Sequence, residues 1–228
     1  MKIHVGLFII ALLFMSTSAN AQDWENRKQY AEKNRLLGPP TSGENRVVFM
    51  GNSITEGWKT TDSAFFTGKP YINRGISGQT TPQMLLRFRD DVVALQPRVV
   101  VILAGINDIA GNTGPVTLDY ILGNIVSMVE LARANHIQVV LCSVLPAYDF
   151  PWRPGQEPAG KVRRLNEMLH GYAVRNRIVY ADYYNAMADE RGGLPKKFST
   201  DGVHPTWAGY QVMEPIVEQA IAKASRKK

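Results

Sequence analysis

The chain has 228 residues, which suits one domain with a sizeable hydrophobic core. It carries 26 Lys and Arg against 20 Asp and Glu, but the basic residues are scattered rather than gathered into a stripe with interleaved aromatic residues. Nucleic acid is therefore not an expected partner. The single cysteine, Cys142, cannot form an internal disulfide and lies in an apolar run, so we expect it to be buried in a strand.

The first 21 residues differ in character from the rest of the chain. Lys2 gives a short basic start, residues 5–15 are almost wholly apolar, and Ala19-Asn20-Ala21 supplies small residues before a cleavage point. This pattern is typical of a secretory signal peptide, and the apolar run is shorter than the roughly 20 residues of a membrane-spanning anchor. We predict a signal peptide over residues 1–21 and a single mature domain over 22–228, starting at Gln22. The mature domain is expected to be secreted or periplasmic, without a stable membrane anchor.

Short apolar segments alternate with segments of helical periodicity along the mature chain. After a helix near residues 24–35, strands are predicted at 47–50, 71–74, 99–104, 139–142 and 178–181. Helices are predicted at 81–94, with Thr81 as N-cap, at 118–132, at 162–172, and from Thr206 to 224, where Pro215 should break or kink the helix. A long loop with four prolines covers residues 144–160. The alternation predicts a parallel sheet with helices on both faces.

Four short motifs follow the first, second, third and fifth predicted strands. They are Gly51-Asn52-Ser53, Gly75, Gly105-Ile106-Asn107-Asp108 and Asp201-Gly202-Val203-His204. Because crossovers in such sheets are right-handed, the strands point the same way and these motifs meet at one edge. Taken singly, each motif is also explained as a turn, a strand end or a helix N-cap.

Together the motifs contain what nucleophilic ester hydrolysis requires. The hydroxyl of Ser53 becomes a nucleophile only when a base removes its proton, and histidine is the usual base. His204 is the one histidine of the mature chain in a loop at this edge. Asp201, three residues earlier, is expected to orient the imidazole, with Asp108 and Asp182 as rival carboxylates near strand ends.

The tetrahedral intermediate of acyl transfer also needs donors for its oxyanion. Three are expected at the same edge: the backbone N–H groups of Ser53 and Gly75 and the side-chain amide of Asn107. The sequence has no Gly-x-Ser-x-Gly elbow, no dinucleotide-binding glycine motif, and no His, Asp and Glu spacing typical of a metal site. Neither a cofactor nor a metal is therefore expected.

On these residues the sequence resembles the SGNH hydrolases, also called GDSL-type esterases and lipases. Gly51-Asn52-Ser53-Ile54-Thr55 is similar to the nucleophile block, with Asn52 where the commonest spelling has Asp. Gly75, the Gly105–Asp108 motif and the motif from Asp201 to Pro205 match the other three blocks. The resemblance implies a flavodoxin-like, three-layer α/β/α sandwich with a five-stranded parallel sheet, and ester hydrolysis without a metal.

The predicted function is that of a secreted serine esterase acting on carboxylic esters. The expected substrates are short acyl groups, above all acetyl, on carbohydrate or small alcohols, and the carbohydrate part is an analogy with exported members of the family. A lysophospholipase or thioesterase of the same mechanism and a catalytically silent glycan-binding module are the alternatives. Trp58, Trp152 and Trp207 are candidates for lining an acyl or alcohol pocket, and otherwise belong to the core or to loops. The oligomeric state stays open.

Overall fold

A computed structural model describes residues 23–226, so the predicted signal peptide lies outside the described residues. The strands are β1 (Val47–Gly51), β2 (Tyr71–Gly75), β3 (Val99–Leu103), β4 (Gln138–Cys142) and β5 (Val179–Ala181). All pair in parallel, in the order β2-β1-β3-β4-β5. The predicted five-stranded parallel sheet is confirmed, and Cys142 is buried at the end of β4 as expected.

Eight α-helices and one short 3-10 helix (Val93–Leu95) accompany the sheet in the described part of the chain. The α-helices are α1 (Lys28–Leu37), α2 (Ser53–Thr61), α3 (Thr81–Asp91), α4 (Ile106–Ile109), α5 (Leu118–Ala134), α6 (Pro158–Arg175), α7 (Tyr183–Met187) and α8 (Trp207–Ser225). Helices α3, α5 and α6 pack together on one face of the sheet, and α2, α7 and α8 cover the other. Every residue of β1 and β3 is buried between these layers. The expected three-layer α/β/α sandwich is therefore confirmed.

Trp58 lies in an aromatic cluster that joins α2 to α8. Its ring stacks on those of Phe65 and Tyr210, with centroids 4.9 and 5.1 Å apart. The Tyr210 hydroxyl also donates to the backbone carbonyl of Ile54 at 2.7 Å. Trp58 is therefore a core residue rather than part of a substrate pocket. The cluster holds α2, which begins at Ser53, in a fixed position against α8.

The N-cap of α3 differs from the prediction by one residue. Thr80 is the N-cap, and it forms a capping box with Gln83. Thr81, which the sequence pattern favoured, is the first residue of the helix instead. Its N–H and hydroxyl both donate to the carboxylate of Asp108. Tertiary contact with a buried acid thus decides which of two adjacent threonines caps the helix.

Helix α8 runs through Pro215 as one helix, so of the predicted break or kink the break is wrong, and the kink stays a prediction. A proline inside a helix costs roughly 3 kcal/mol. Met213 and Val217, on either side of it, are fully buried. Burial of each such side chain stabilises the fold by about 1.5 to 3 kcal/mol, which offsets the cost of the proline. Thr206 is at the N-cap as predicted, although its side chain makes no capping hydrogen bond. In the described part of the chain, no helix has the length and apolar character to cross a membrane.

Candidate active site

Ser53 and Asn107 lie at the carboxyl ends of two neighbouring central strands. Strands β1 and β3 are adjacent, but the chain leaves β1 toward β2 and leaves β3 toward β4. Open α/β sheets bind their ligands where the crossovers diverge in this way. Ser53 begins α2 after β1, and Asn107 lies in α4 after β3, so both are at that point.

Asn52 fixes the start of α2. Its side-chain oxygen accepts the N–H of Ile54 at 3.0 Å, and its carbonyl accepts the N–H of Glu56 at 2.8 Å. Ser53 is thereby the first helical residue, at the positive end of the helix dipole. Asn52 stands where the commonest form of the nucleophile block has Asp, and it retains the capping bond because it also presents a side-chain oxygen.

His204 lies between Ser53 and Asp201. Its Nε2 is 2.9 Å from Ser53 Oγ, and its Nδ1 is 2.7 Å from Asp201 Oδ2. Burial raises the pKa of Asp201, but hydrogen bonds from the His204 ring and from backbone N–H groups outweigh it and lower the pKa to about 2. An ionised carboxylate only accepts hydrogen bonds, so Nδ1 carries the ring proton. Nε2 is then left to accept the proton of the Ser53 hydroxyl.

The turn of residues 199–204 is built around the Asp201 carboxylate. Asp201 Oδ1 accepts the N–H of Val203 at 2.9 Å and of His204 at 2.8 Å. It also accepts the hydroxyl of Ser199 at 3.0 Å, and Ser199 is buried. Ser199 was not among the predicted site residues, because one serine in a loop carries no signal of its own. The Ser-x-Asp spacing, which is typical of turns stabilised by side chains, was the sign in the sequence that Ser199 belongs to this turn.

The two rival carboxylates serve other purposes. Asp182 caps α7, where its Oδ1 accepts the N–H of Asn185 at 3.1 Å. Asp108 is buried and accepts the N–H and hydroxyl of Thr81 at 3.0 and 2.6 Å. Burial raises the pKa of Asp108 to about 6, although the hydrogen bonds from Thr81 act in the opposite direction. Within residues 23–226 neither carboxylate contacts His204, which leaves Asp201 as its partner.

The other two histidines of the described chain lie away from this edge. His136 precedes β4 and is therefore at the amino ends of the strands, with a φ of 59°. His170 is exposed on α6, where its ring lies 5.1 Å from that of Tyr180. Among residues 23–226, no group of three or more His, Cys, Asp or Glu side chains is arranged to hold a metal ion.

Asn107 is held with its amide against the loop that follows β2. Its Nδ2 donates to the carbonyl of Gln79 at 3.0 Å, and the side chain is buried. One amide hydrogen is thus used and the second remains for a ligand. The backbone N–H of Ser53 likewise has no acceptor among the described residues. Two of the three predicted oxyanion donors are therefore available.

The role predicted for Gly75 needs correction. Its backbone N–H already donates to Oδ1 of Asn73 at 2.9 Å and is not available to a ligand. The position requires glycine for a different reason, since a Cβ atom would lie 2.1 Å from the backbone nitrogen of Glu56. Gly75 allows the end of β2 to pack directly against α2.

Gly78, in the same loop, presents a backbone donor instead. Its φ of 77° is in the left-handed region, and its carbonyl accepts the side-chain amide of Asn112 at 3.1 Å. No residue in the described chain accepts its N–H. The loop is held from the other side by Glu56, whose carboxylate accepts the N–H of Ser77 at 2.8 Å and also its hydroxyl. Both glycines were visible in the sequence, but only these contacts distinguish their roles.

A buried ion pair supports the same loop from the α3 side. Arg87 is fully buried and donates to the carboxylate of Asp91 at 2.8 Å. It also donates to the side-chain oxygen of Gln79 at 2.6 Å and to the carbonyl of Gly51 at 3.0 Å. One guanidinium thereby ties the end of β1 to the loop beside Asn107. The sequence did not reveal this pair, because an Arg and an Asp four residues apart are usually solvated.

Trp152 borders the site from the loop of residues 143–157. Its indole stacks on the ring of Phe150, with centroids 5.2 Å apart, and lies 6.1 Å from the ring of His204. Although the rings of Phe150 and His204 lie beside Trp152, 45% of the tryptophan stays exposed. Trp207 is exposed at the start of α8, and no ring contact of it is found within residues 23–226. Of the three candidate tryptophans, Trp152 is the one beside His204.

The class of this chain follows from its similarity to a family of hydrolases. A family model described as the GDSL-like Lipase/Acylhydrolase family matches residues 49–212, a span that includes Ser53, Asn107, Asp201 and His204. The chain belongs to this family.

Two solved structures are similar to nearly the whole chain. A crystal structure from Bacteroides fragilis assigned to an acylhydrolase is 51% identical, with a TM-score of 0.87, and the match covers 90% of this chain and 100% of that one. A GDSL-like lipase from Bacteroides thetaiotaomicron is also 51% identical, with a TM-score of 0.85 and coverage of 88% and 98%. The uncharacterized lipoprotein YqeF of Bacillus subtilis is 35% identical over 128 residues, which are 55% of this chain and 44% of YqeF. This chain therefore spans less than half the length of that curated relative.

Proposed function

We propose that this protein is a secreted serine esterase that removes short acyl groups, above all acetyl, from carbohydrate alcohols. The observation that carries the mechanism is the chain of hydrogen bonds from Ser53 through His204 to Asp201, with lengths of 2.9 and 2.7 Å. Membership of an acylhydrolase family supports the reaction class. The pattern of residues 1–21 supports export.

In the first half of the reaction, Ser53 attacks the ester carbonyl carbon. His204 Nε2 takes the hydroxyl proton as the new C–O bond forms, and the ionised Asp201 stabilises the resulting imidazolium. The former carbonyl oxygen takes up the negative charge. It accepts hydrogen bonds from the Ser53 N–H, the Asn107 amide and the Gly78 N–H, the last in place of Gly75.

In the second half, the intermediate collapses and the acyl group stays on Ser53. The leaving alcohol takes its proton from His204, which restores the neutral imidazole. Water then attacks the acyl-enzyme while His204 removes a water proton, and the same three donors hold the second oxyanion. Release of the carboxylic acid returns the proton to Ser53.

The surroundings of the site favour a polar alcohol over a long acyl chain. A cleft of about 370 Å³ borders the Asp201 turn, and its lining combines the charged Arg191 and Lys196 with Tyr148 and with apolar side chains such as Leu194. A long apolar chain laid here would remove water from the two cations without replacing their hydrogen bonds. Sugar hydroxyls supply acceptors and donors for such a lining.

The proposal is tested by comparing p-nitrophenyl acetate with p-nitrophenyl palmitate as substrates of the mature protein. We expect hydrolysis of the acetate, with kcat/KM for the palmitate lower by at least about tenfold, since a long chain in this cleft would take water away from Arg191 and Lys196. Faster hydrolysis of the palmitate would instead support the lipase alternative. No hydrolysis of either ester by folded protein would refute the esterase and support the silent glycan-binding module.

A further inference from the structure

We propose that the loop of residues 148–156 forms the subsite for the sugar ring that carries the ester, with Trp152 as its stacking platform. This inference rests on the proposed esterase function and specifies the alcohol that the site accepts. It starts from the indole of Trp152, which lies 6.1 Å from the His204 ring and is 45% exposed. Single exposed aromatic residues are ordinary on protein surfaces, so it is the position of Trp152 beside His204, and not its exposure alone, that points to a ligand.

The exposed position of Trp152 is fixed by packing. Phe150 is fully buried and stacks beneath the indole, with an interplanar angle of 29°. The indole cannot turn inward, because the space beneath it is already filled by Phe150. One face of Trp152 is thus supported and the rest of its surface stays open to a ligand beside His204.

Two sets of hydrogen bonds hold the loop itself. Asp149 Oδ1 accepts the N–H of Phe150 and of Gly155, each at 2.9 Å, which closes the loop on itself. Arg153 Nη1 donates to the carbonyls of Ala110 and Gly111 at 2.7 and 2.6 Å. Those carbonyls follow α4, the helix that contains Asn107. The platform is therefore preorganised relative to the proposed oxyanion donor, which reduces the ordering cost of binding.

The same loop also lines the cleft beside the Asp201 turn, through Tyr148 and Phe150. Tyr148 is 53% exposed, and the Arg191 guanidinium lies 4.7 Å from its ring centroid. An aromatic ring and a group with several hydrogen-bond donors thus line a cleft that the loop also borders through Phe150, the residue on which Trp152 stacks. This lining suits a neighbouring sugar unit, so the substrate is an ester of an oligosaccharide rather than of a small alcohol.

The experiment compares an acetylated xylo-oligosaccharide with ethyl acetate, an ester that has no ring to stack. We expect Trp152→Ala to raise KM for the oligosaccharide by about tenfold, the size of a lost aromatic contact, to leave its kcat nearly unchanged, and to change the ethyl acetate kinetics by much less. Trp152→Phe should recover most of the lost KM. Trp24→Ala is the matched control, because Trp24 is also 45% exposed, and it should change neither substrate's kinetics.

Three outcomes would overturn parts of this scheme and can be told apart. An equal loss on both substrates in Trp152→Ala would show a structural role and overturn the platform. A wild-type protein that hydrolyses ethyl acetate but not the oligosaccharide would refute the sugar subsite and leave the esterase standing. A folded wild-type protein that hydrolyses neither ester would refute the proposed function itself.

Discussion

Replacing Asn107 by alanine tests the oxyanion hole separately from Ser53 and His204. One hydrogen of the Asn107 amide is held by the carbonyl of Gln79 at 3.0 Å, which orients the second toward the site. That second hydrogen bond is made only when charge develops, so its loss should lower kcat and leave KM little changed. Removal of one such donor costs about 3 to 4 kcal/mol, or roughly 10²- to 10³-fold in kcat.

The same substitution should have a smaller effect on stability. It leaves the Gln79 carbonyl without its partner, and an unsatisfied buried acceptor costs about 1 to 3 kcal/mol in the free energy of unfolding. Steady-state kinetics on p-nitrophenyl acetate measures the first effect and urea unfolding measures the second. Near-normal kcat in Asn107→Ala would refute the assignment of this donor.

Asn112→Ala is the matched control for this prediction. Its amide also donates to the loop after β2, at the carbonyl of Gly78, 3.1 Å away, but Asn112 is exposed. The substitution loosens the loop without removing a proposed oxyanion donor, so kcat should fall by less than about tenfold. Equal losses in Asn107→Ala and Asn112→Ala would mean that loop position, rather than the amide, controls the rate.

Two further predictions concern stability. Arg87→Leu should lower the free energy of unfolding by about 3 to 5 kcal/mol, since Asp91 would stay buried without its partner, whereas Arg164→Leu in the exposed pair with Glu167 should cost less than about 1 kcal/mol. Similar losses in the two variants, measured by urea unfolding, would contradict this. The pKa of Asp108 is raised from its usual 3.8 to about 6, so the folded protein binds this proton more tightly than the unfolded chain between those values. The contribution of Asp108 to the free energy of unfolding should therefore fall by about 2 kcal/mol as pH rises from 4 to 6, and Asp108→Asn should lack this component; identical pH profiles would be evidence against it.

The sheet could be predicted because most of its strands coincide with short apolar segments of the sequence. Strand β3 (Val99–Leu103) lies in a continuous apolar run over residues 99–104, and Gly105 follows that run. Ser53 and Asn107 at the sheet edge were identifiable for the same reason, since each follows a strand within a few residues, whereas Asp201 and His204 lie in a loop well beyond the end of β5. His204 was selected because it is the loop histidine at that edge, and it lies 2.9 Å from Ser53.

What the sequence did not reveal depends on contacts between distant segments. Gly75 and Gly78 lie in one short stretch, and only the hydrogen bond from the Gly75 N–H to Asn73 shows which backbone donor is already used. Trp58 and Trp152 are alike as residues, yet one is 1% exposed in the core and the other 45% exposed beside His204. The residues that surround each tryptophan come from segments far away in the chain. Residue type and spacing therefore do not show which tryptophan is buried and which is exposed.

The most direct measurement is the site at which a fluorophosphonate labels the protein, because such a reagent reacts with a serine that a neighbouring base has activated. Mass spectrometry of the digested wild-type protein should find one adduct, on Ser53. Ser53→Ala should show no adduct, should unfold at the same urea concentration as the wild type, and should have kcat lower by on the order of 10³-fold or more. An adduct on another serine, or labelling that persists in Ser53→Ala, would contradict the assignment of Ser53 as the nucleophile.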